Sequence, residues 1–313
     1  MPDLILINGV AISKGENKEV NLNIAKLPTH TMIDLPIHVY RAKKNGPTLL
    51  ITAGLHGDEI NGIEVIRRMI FDKSIFPFAG TVIAIPVVNI YGFIHTSRKF
   101  PDGKDLNRSF PGSKNGSLAS KIAYVLINEI VPHIDCGVDF HTGGASKMNH
   151  PHIRCDYNYK KYLELAKAFS PQFIVNSKAP DHSFRQAAFK MGKFILTFEG
   201  GESLRFDEHS ISEGINGILR LMKFLGMKKE KGKANKTKLL NGSWWIRAKH
   251  SGLFRSEIKI GEKIKQNQTL GYITDPFGES QYEIKARAAG YIIGLNNLCV
   301  VNNGDAIIHI GGE

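Results

Sequence analysis

Between Pro47 and Leu225 short apolar runs alternate with stretches whose apolar residues recur at helical spacing, and an alternation of that length calls for a sheet flanked by helices. Leu49–Ala53, Thr81–Val88, Cys136–Phe140, Phe173–Asn176 and Phe194–Phe198 read as strands. Ile60–Phe71 carries apolar residues at 60, 63, 66, 69 and 70, one face of a helix. Leu118–Ile130 repeats the pattern at 118, 122, 125, 126 and 130, and Tyr159–Phe169, Ser183–Met191 and Ile211–Leu225 are further predicted helices. Helical crossovers are what parallel neighbours need. The predicted fold class is therefore α/β, a mixed, mostly parallel sheet flanked by helices, over residues 1–227. Alternating runs at Glu19–Ala25 and Ile37–Arg41 predict an N-terminal β segment of that domain.

The texture changes after residue 227. Residues 228–238 hold six lysines and one glutamate with Gly, Asn and Thr and no large apolar side chain, so 228–240 reads as a solvated Lys-rich linker. From 241 to 313 short β-rich runs are broken by glycines. Ile246-Arg-Ala-Lys-His-Ser-Gly is echoed by Ile284-Lys-Ala-Arg-Ala-Ala-Gly, and Ile258-Lys-Ile-Gly-Glu-Lys-Ile by Val300-Val-Asn-Asn-Gly-Asp-Ala-Ile. Two related halves of short strands predict a small C-terminal all-β domain of pseudo-twofold character. The pattern resembles the barrel-sandwich hybrid of biotinyl and lipoyl carriers, which present a modified lysine between the halves. Thr274-Asp-Pro-Phe-Gly-Glu-Ser-Gln-Tyr282 has no lysine there, so a lid or a homo-oligomer contact is expected instead.

A net charge of +12 raises the question of nucleic acid. The lysine run alone holds +5 of it, leaving +7 for everything else, and basic residues are not interleaved with aromatics as in single-strand binders. A basic field that draws in an anionic substrate fits better, and neither nucleic acid nor membrane is an expected partner. No run of eighteen apolar residues occurs, and the opening Met1-Pro-Asp-Leu-Ile-Leu-Ile does not read as a secretory signal. Three scattered cysteines, Cys136, Cys155 and Cys299, argue against a disulfide framework and for a reducing, cytoplasmic setting.

Chemistry-bearing residues gather where strands end. His56-Gly-Asp-Glu59 lies between the first apolar run and its helix, and ligands of open α/β sheets bind beyond the carboxyl ends of strands. His and Glu at this spacing can address one ion, and His141 of Asp139-Phe-His-Thr-Gly143 supplies a third ligand at another strand end. Three protein ligands with one open position is the arrangement of catalytic zinc; His150 and His152 are rival ligands or rim residues. A base that is not a ligand is still required. Glu199, closing the run Phe194–Phe198, is the candidate, with Glu202 as competitor beyond two glycines. Between residues 96 and 112 the chain is polar and turn-rich. Arg98 and Arg108 offer forked donors for a carboxylate or an oxyanion, Asn107 adds an amide, and Asp105 is placed to orient an arginine.

Taken in order, His56-x-x-Glu59, Asp105-Leu-Asn-Arg108 followed by Ser-Phe-Pro-Gly112, Asp139-Phe-His-Thr-Gly143 and Phe198-Glu199 resemble the succinylglutamate desuccinylase/aspartoacylase family, itself related to the zinc carboxypeptidases. The resemblance covers residues 45–225. It implies zinc at the carboxyl edge of a mixed sheet, one Zn2+ per chain on His56, Glu59 and His141. The activity it implies is hydrolysis of the amide of an N-acyl amino acid. On the same basis Glu199 is the general base, Arg98 polarises the scissile carbonyl, and Asn107 and Arg108 hold a substrate carboxylate. The Ser-Phe-Pro-Gly ending is closer to the broad deacylase branch than to aspartoacylase, which leaves the acyl group open. The substrate expected is a small anionic N-acyl amino acid. An acidic peptide tail trimmed in carboxypeptidase fashion is the alternative, and a non-catalytic metal-dependent binding protein is the third reading.

Overall fold

A computed structural model describes residues 4–26, 29–229 and 235–313. Strands β1 (Leu4–Ile7) and β2 (Val10–Ser13) form a separate hairpin. β3 (Asn17–Lys26), β4 (Met32–Arg41), β5 (Lys44–Thr52), β6 (Ala79–Ile85), β7 (Cys136–Gly143), β8 (Lys147–Cys155), β9 (Phe173–Asn176) and β10 (Phe194–Glu202) belong to one 13-stranded sheet. At its centre β6, β5, β7 and β10 run parallel in that order. The helices are α1 (Asn61–Phe71), the short α2 (Ile90–Ile94), α3 (Leu118–Val125), α4 (Lys160–Phe169), α5 (Phe184–Lys190) and α6 (Glu208–Phe224).

Side chains alternate across the central strands, so the sheet needs cover on both faces. Leu49, Ile51, Val82, Ala84, Val138 and Phe140 face α1, α4 and α6, where Val65, Ile66, Leu165, Phe169, Ile218 and Leu221 are buried. Leu50, Ile83, Ile85 and Ile195 face the other way, toward Ile122 and Ala123 of α3 and Phe184, Ala187 and Ala188 of α5. The helical run expected to end at Ile130 is α3 followed by a π turn over Leu126–Ile130.

The sheet is mixed rather than mostly parallel. Antiparallel β4 and β3 extend it on one side and antiparallel β8 on the other. β4 turns into β5 at residues 42–43 and β7 into β8 at residues 144–146, reversals too short to hold a crossover helix. β8 was not expected at all, because Met-Asn-His-Pro-His has no alternating apolar signal and proline argues against a central strand. Pro151 is accommodated where the pairing with β10 shifts, His152 lying opposite Glu199 but Asn149 opposite Gly201.

Residues 230–234 of the expected linker lie outside the described residues. The chain then enters β11 (Lys238–Leu240), parallel to β9, so the stretch expected to be a linker up to 240 ends within the sheet. Only strands follow: β12 (Gly242–Arg247), β13 (Gly252–Ser256), β14 (Lys263–Ile264), β15 (Thr269–Thr274), β16 (Gln281–Lys285), β17 (Gly290–Asn296), β18 (Val300–Val301) and β19 (Ala306–Gly312). β16, β15, β13 and β18 make a second sheet, while β12, β19 and β17 join the large one where β17 pairs with β8. Phe254, Ile264, Leu270, Ile292 and Ile308 are packed between them, with Ala248 and Ala286, the matched positions of the two echoing segments. All three cysteines are free, and among the described residues no helix is long and apolar enough to cross a membrane.

Candidate active site

Parallel pairing brings distant residues to one edge. Thr52 of β5 and Thr197 of β10 both lie opposite Asp139 of β7, and Glu199 lies opposite His141. The chain leaves β5 through Gly54, which has φ +61°, and His56 and Glu59 fall on the turn into α1. Gly57 lets this turn lie against α2: a Cβ there would stand 1.8 Å from the Gly92 carbonyl carbon.

His56, Glu59 and His141 are buried, at 2%, 2% and 5% exposure, and their ligand atoms all lie within 4.8 Å of one another. His56 Nδ1 stands 2.8 Å from Glu59 Oε1, His141 Nδ1 2.8 Å from Glu59 Oε2, and the two Nδ1 atoms 3.3 Å apart. The far nitrogen of each ring meets a carboxylate. His56 Nε2 is 3.1 Å from Asp105 and His141 Nε2 is 2.8 Å from Asp139, whose other oxygen accepts from the Thr52 hydroxyl at 2.7 Å. Two imidazoles and one carboxylate form a zinc-type donor set, and a carboxylate behind each imidazole fixes its tautomer and strengthens it as a ligand. The residues present therefore fit a divalent ion.

The electrostatics agree with that geometry. Burial alone would push His56 and His141 down, but Glu59 and Asp105 raise the first, and Asp139 and Glu59 raise the second well above the usual imidazole range. Burial would push Glu59 up, yet the two rings outweigh it and hold its carboxyl well below the usual range. The cluster thus concentrates negative charge between two nitrogen donors, which suits a cation.

Arg98 donates to Glu59 Oε1 at 3.0 Å and to Asp105 Oδ2 from Nε and Nη2 at 3.2 and 3.1 Å. Asp105 thus orients an arginine, as expected, and braces His56 as well. Asn107 accepts from the Phe184 backbone N–H at 2.9 Å, which leaves its NH2 group as the donor for a ligand. Arg108 donates to the Asn107 carbonyl at 2.7 Å and is more exposed. Arg98, Asn107, Arg108, His141 and Glu199 all line one cavity of about 190 Å³. Glu202 does not; it accepts from Asn297 Nδ2 at 2.7 Å. His150 and His152 are neither ligands nor rim: His150 is buried against Phe173 with Nε2 on Gln172, and His152 is fully buried with Nδ1 on the His150 carbonyl.

Sequence reasoning missed two cations of this cavity, Arg154 and Arg185. Arg154 lies on β8 opposite Thr197, its Nε 3.8 Å from Glu199. Arg185, 6% exposed, donates to the carbonyls of Arg154, Ser177 and Lys178 at 2.8 to 3.0 Å and has no carboxylate in ion-pair range among the described residues. A buried guanidinium without a counter-ion is an anion-recognition signal that only the fold reveals.

Comparison with known proteins shows the family of the chain. The family model for the succinylglutamate desuccinylase/aspartoacylase catalytic domain matches residues 45–225. The N-alpha-acetyl-L-2,4-diaminobutyric acid deacetylase of Halomonas elongata is 27% identical over 288 residues, 87% of this chain and 84% of that protein. A succinylglutamate desuccinylase/aspartoacylase structure from Rhodobacter sphaeroides superposes with TM-score 0.83 at 25% identity over 95% of both chains. The product-bound ectoine utilization protein EutE (DoeB) of Ruegeria pomeroyi does so with the same score at 24% identity, again over 95% of each. With the model spanning more than half its length, the chain belongs to the succinylglutamate desuccinylase/aspartoacylase family.

Proposed function

We propose that this protein is a zinc-dependent deacylase that hydrolyses the amide bond of a small N-acyl amino acid in the cytoplasm, a compartment its free cysteines suit. The observation that carries the reading is the buried His56–Glu59–His141 group opening onto a cavity lined by four arginines. The ligands would be His56 Nδ1, Glu59 and His141 Nδ1. Bound by these three residues, a divalent ion would supply Lewis acidity, lowering the pKa of water toward about 7 and polarising a carbonyl. Glu199 accepts the proton of the attacking water and returns it to the leaving amine nitrogen. Arg98 donates hydrogen bonds to the carbonyl oxygen as negative charge develops on it. Asn107 and Arg108 hold a substrate carboxylate, and Arg185 adds fixed positive charge to the cavity wall. Residues 1–227 form the catalytic domain in this reading, and 241–313 a C-terminal barrel-sandwich domain.

A cavity of about 190 Å³ suits a small N-acyl amino acid better than a peptide tail. The test combines metal analysis with a panel of N-acetyl-diaminobutyrate, N-acetylaspartate, N-succinylglutamate and short Glu- or Asp-ended peptides. Hydrolysis is expected for a member of the first group. Turnover of the peptides alone would favour the carboxypeptidase reading, and metal uptake with no turnover of any would favour a binding protein. The Glu199→Gln enzyme is expected to keep its zinc and lose at least about 100-fold in kcat. Near-normal turnover would remove Glu199 from the chemistry.

A further inference from the structure

We infer that Asn149 is a positioning residue for Glu199, and that the C-terminal strand β17 keeps it in place through Gly294; the inference rests on the role proposed for Glu199 above. Asn149 is 6% exposed, and its Nδ2 donates to Glu199 Oε2 at 2.9 Å. The other carboxylate oxygen has Arg154 Nε at 3.8 Å, too far for a hydrogen bond, so the amide contact is the one that fixes the rotamer. Asn149 reaches Glu199 because of the shift in β8: it pairs with Gly201 while His152 pairs with Glu199, so the strand bends where Asn149 must turn inward.

On its other edge β8 is held by β17, with Gly294 directly opposite Asn149. A Cβ on residue 294 would lie 2.9 Å from Asn149 Oδ1, 3.0 Å from His309 Cβ and 3.4 Å from the Met148 carbonyl oxygen. The amide therefore sits in space that exists only because residue 294 has no side chain. One end of Asn149 is wedged over the C-terminal strand and the other holds the carboxylate. A role for the C-terminal β region follows: it braces the strand that aims the base, although it contributes none of the proposed ligands. Asn149 touches neither substrate nor metal in this account and acts through Glu199.

The experiment is a pair of double-mutant cycles. Asn149→Ala and Gly294→Ala are made singly and in the Glu199→Gln background, with kcat, KM, bound metal and melting temperature measured for each. Losing a hydrogen bond to a charged group predicts a fall in kcat of about 10- to 100-fold for Asn149→Ala, with KM held within about threefold and metal content unchanged. Gly294→Ala, remote from the cavity, is expected to lower kcat in the same pattern. Both effects should vanish when Glu199 is already Gln. Wild-type kcat in Asn149→Ala, or an equal fold-loss in the Glu199→Gln background, would overturn the inference. Should Asn149→Ala not fold, the Gly294→Ala cycle decides alone, and wild-type kcat there overturns it. The Glu199→Gln single variant reports separately: if it retains turnover, the role of Glu199 fails; if it is inactive while Asn149→Ala is normal, only the positioning role fails.

Discussion

Each imidazole of the metal group is held from behind, and at the residue scale this is the feature most open to test. Asp139 has one oxygen on His141 Nε2 and the other on the Thr52 hydroxyl, so it transmits the register of β5 and β7 to the ring. Asp139→Ala leaves the three ligands intact but frees the ring. Removing such a supporting carboxylate is expected to weaken metal affinity about 10- to 100-fold. Chelator competition measures this directly, and unchanged affinity would show that packing alone orients His141. Gly57 makes a second test. A methyl group there has no room against the Gly92 backbone, so Gly57→Ala is expected to cost about 1–3 kcal/mol, read from the urea midpoint at constant slope. The glycine beside the first histidine is thus required by packing, independently of any chemistry at His56.

At the scale of elements, legibility followed the period of the apolar residues. The strands carrying His141 and Glu199, and the one preceding His56, announce themselves as apolar runs, so these site residues were readable as strand-end polar groups. β8 was not readable, because two histidines, an asparagine and a proline mask it, and with it went Asn149 and Arg154. Arg185 looked like any basic residue of an amphipathic helix; only the packing of α5 against β10, beside the end of β8, shows that its guanidinium spans three backbone carbonyls. Lysine cannot reproduce that fork. Arg185→Lys is therefore expected to lower stability by about 1–3 kcal/mol and to raise KM more than it lowers kcat. A KM equal to wild type would mean that the buried charge serves the fold and not the ligand.

The whole molecule is divided by sequence texture but joined by its sheet. Among the described residues all helices lie between residues 61 and 224, and both tryptophans, Trp244 and Trp245, lie beyond them. Helical ellipticity therefore reports the first region and tryptophan fluorescence the second. Three contacts argue that the two report one event. β17 pairs with β8, β11 continues the sheet from β9, and Phe173, Val175, Leu240, Tyr291 and Ile293 form a buried cluster across the junction. At about 1.5–3 kcal/mol per fully buried apolar side chain, that cluster alone is worth on the order of 10 kcal/mol, as large as the net stability of a typical domain. A coupling of that size leaves no denaturant window in which one region is folded and the other is not. Urea unfolding followed by ellipticity and by fluorescence is expected to give coincident midpoints. A chain ending at residue 240 is expected to be insoluble, since it exposes the β8 edge and the three cluster residues it keeps, Phe173, Val175 and Leu240. Separate transitions, or a soluble truncated protein with native ellipticity, would show that the C-terminal strands are an independent module and that the brace on Asn149 is dispensable to the fold.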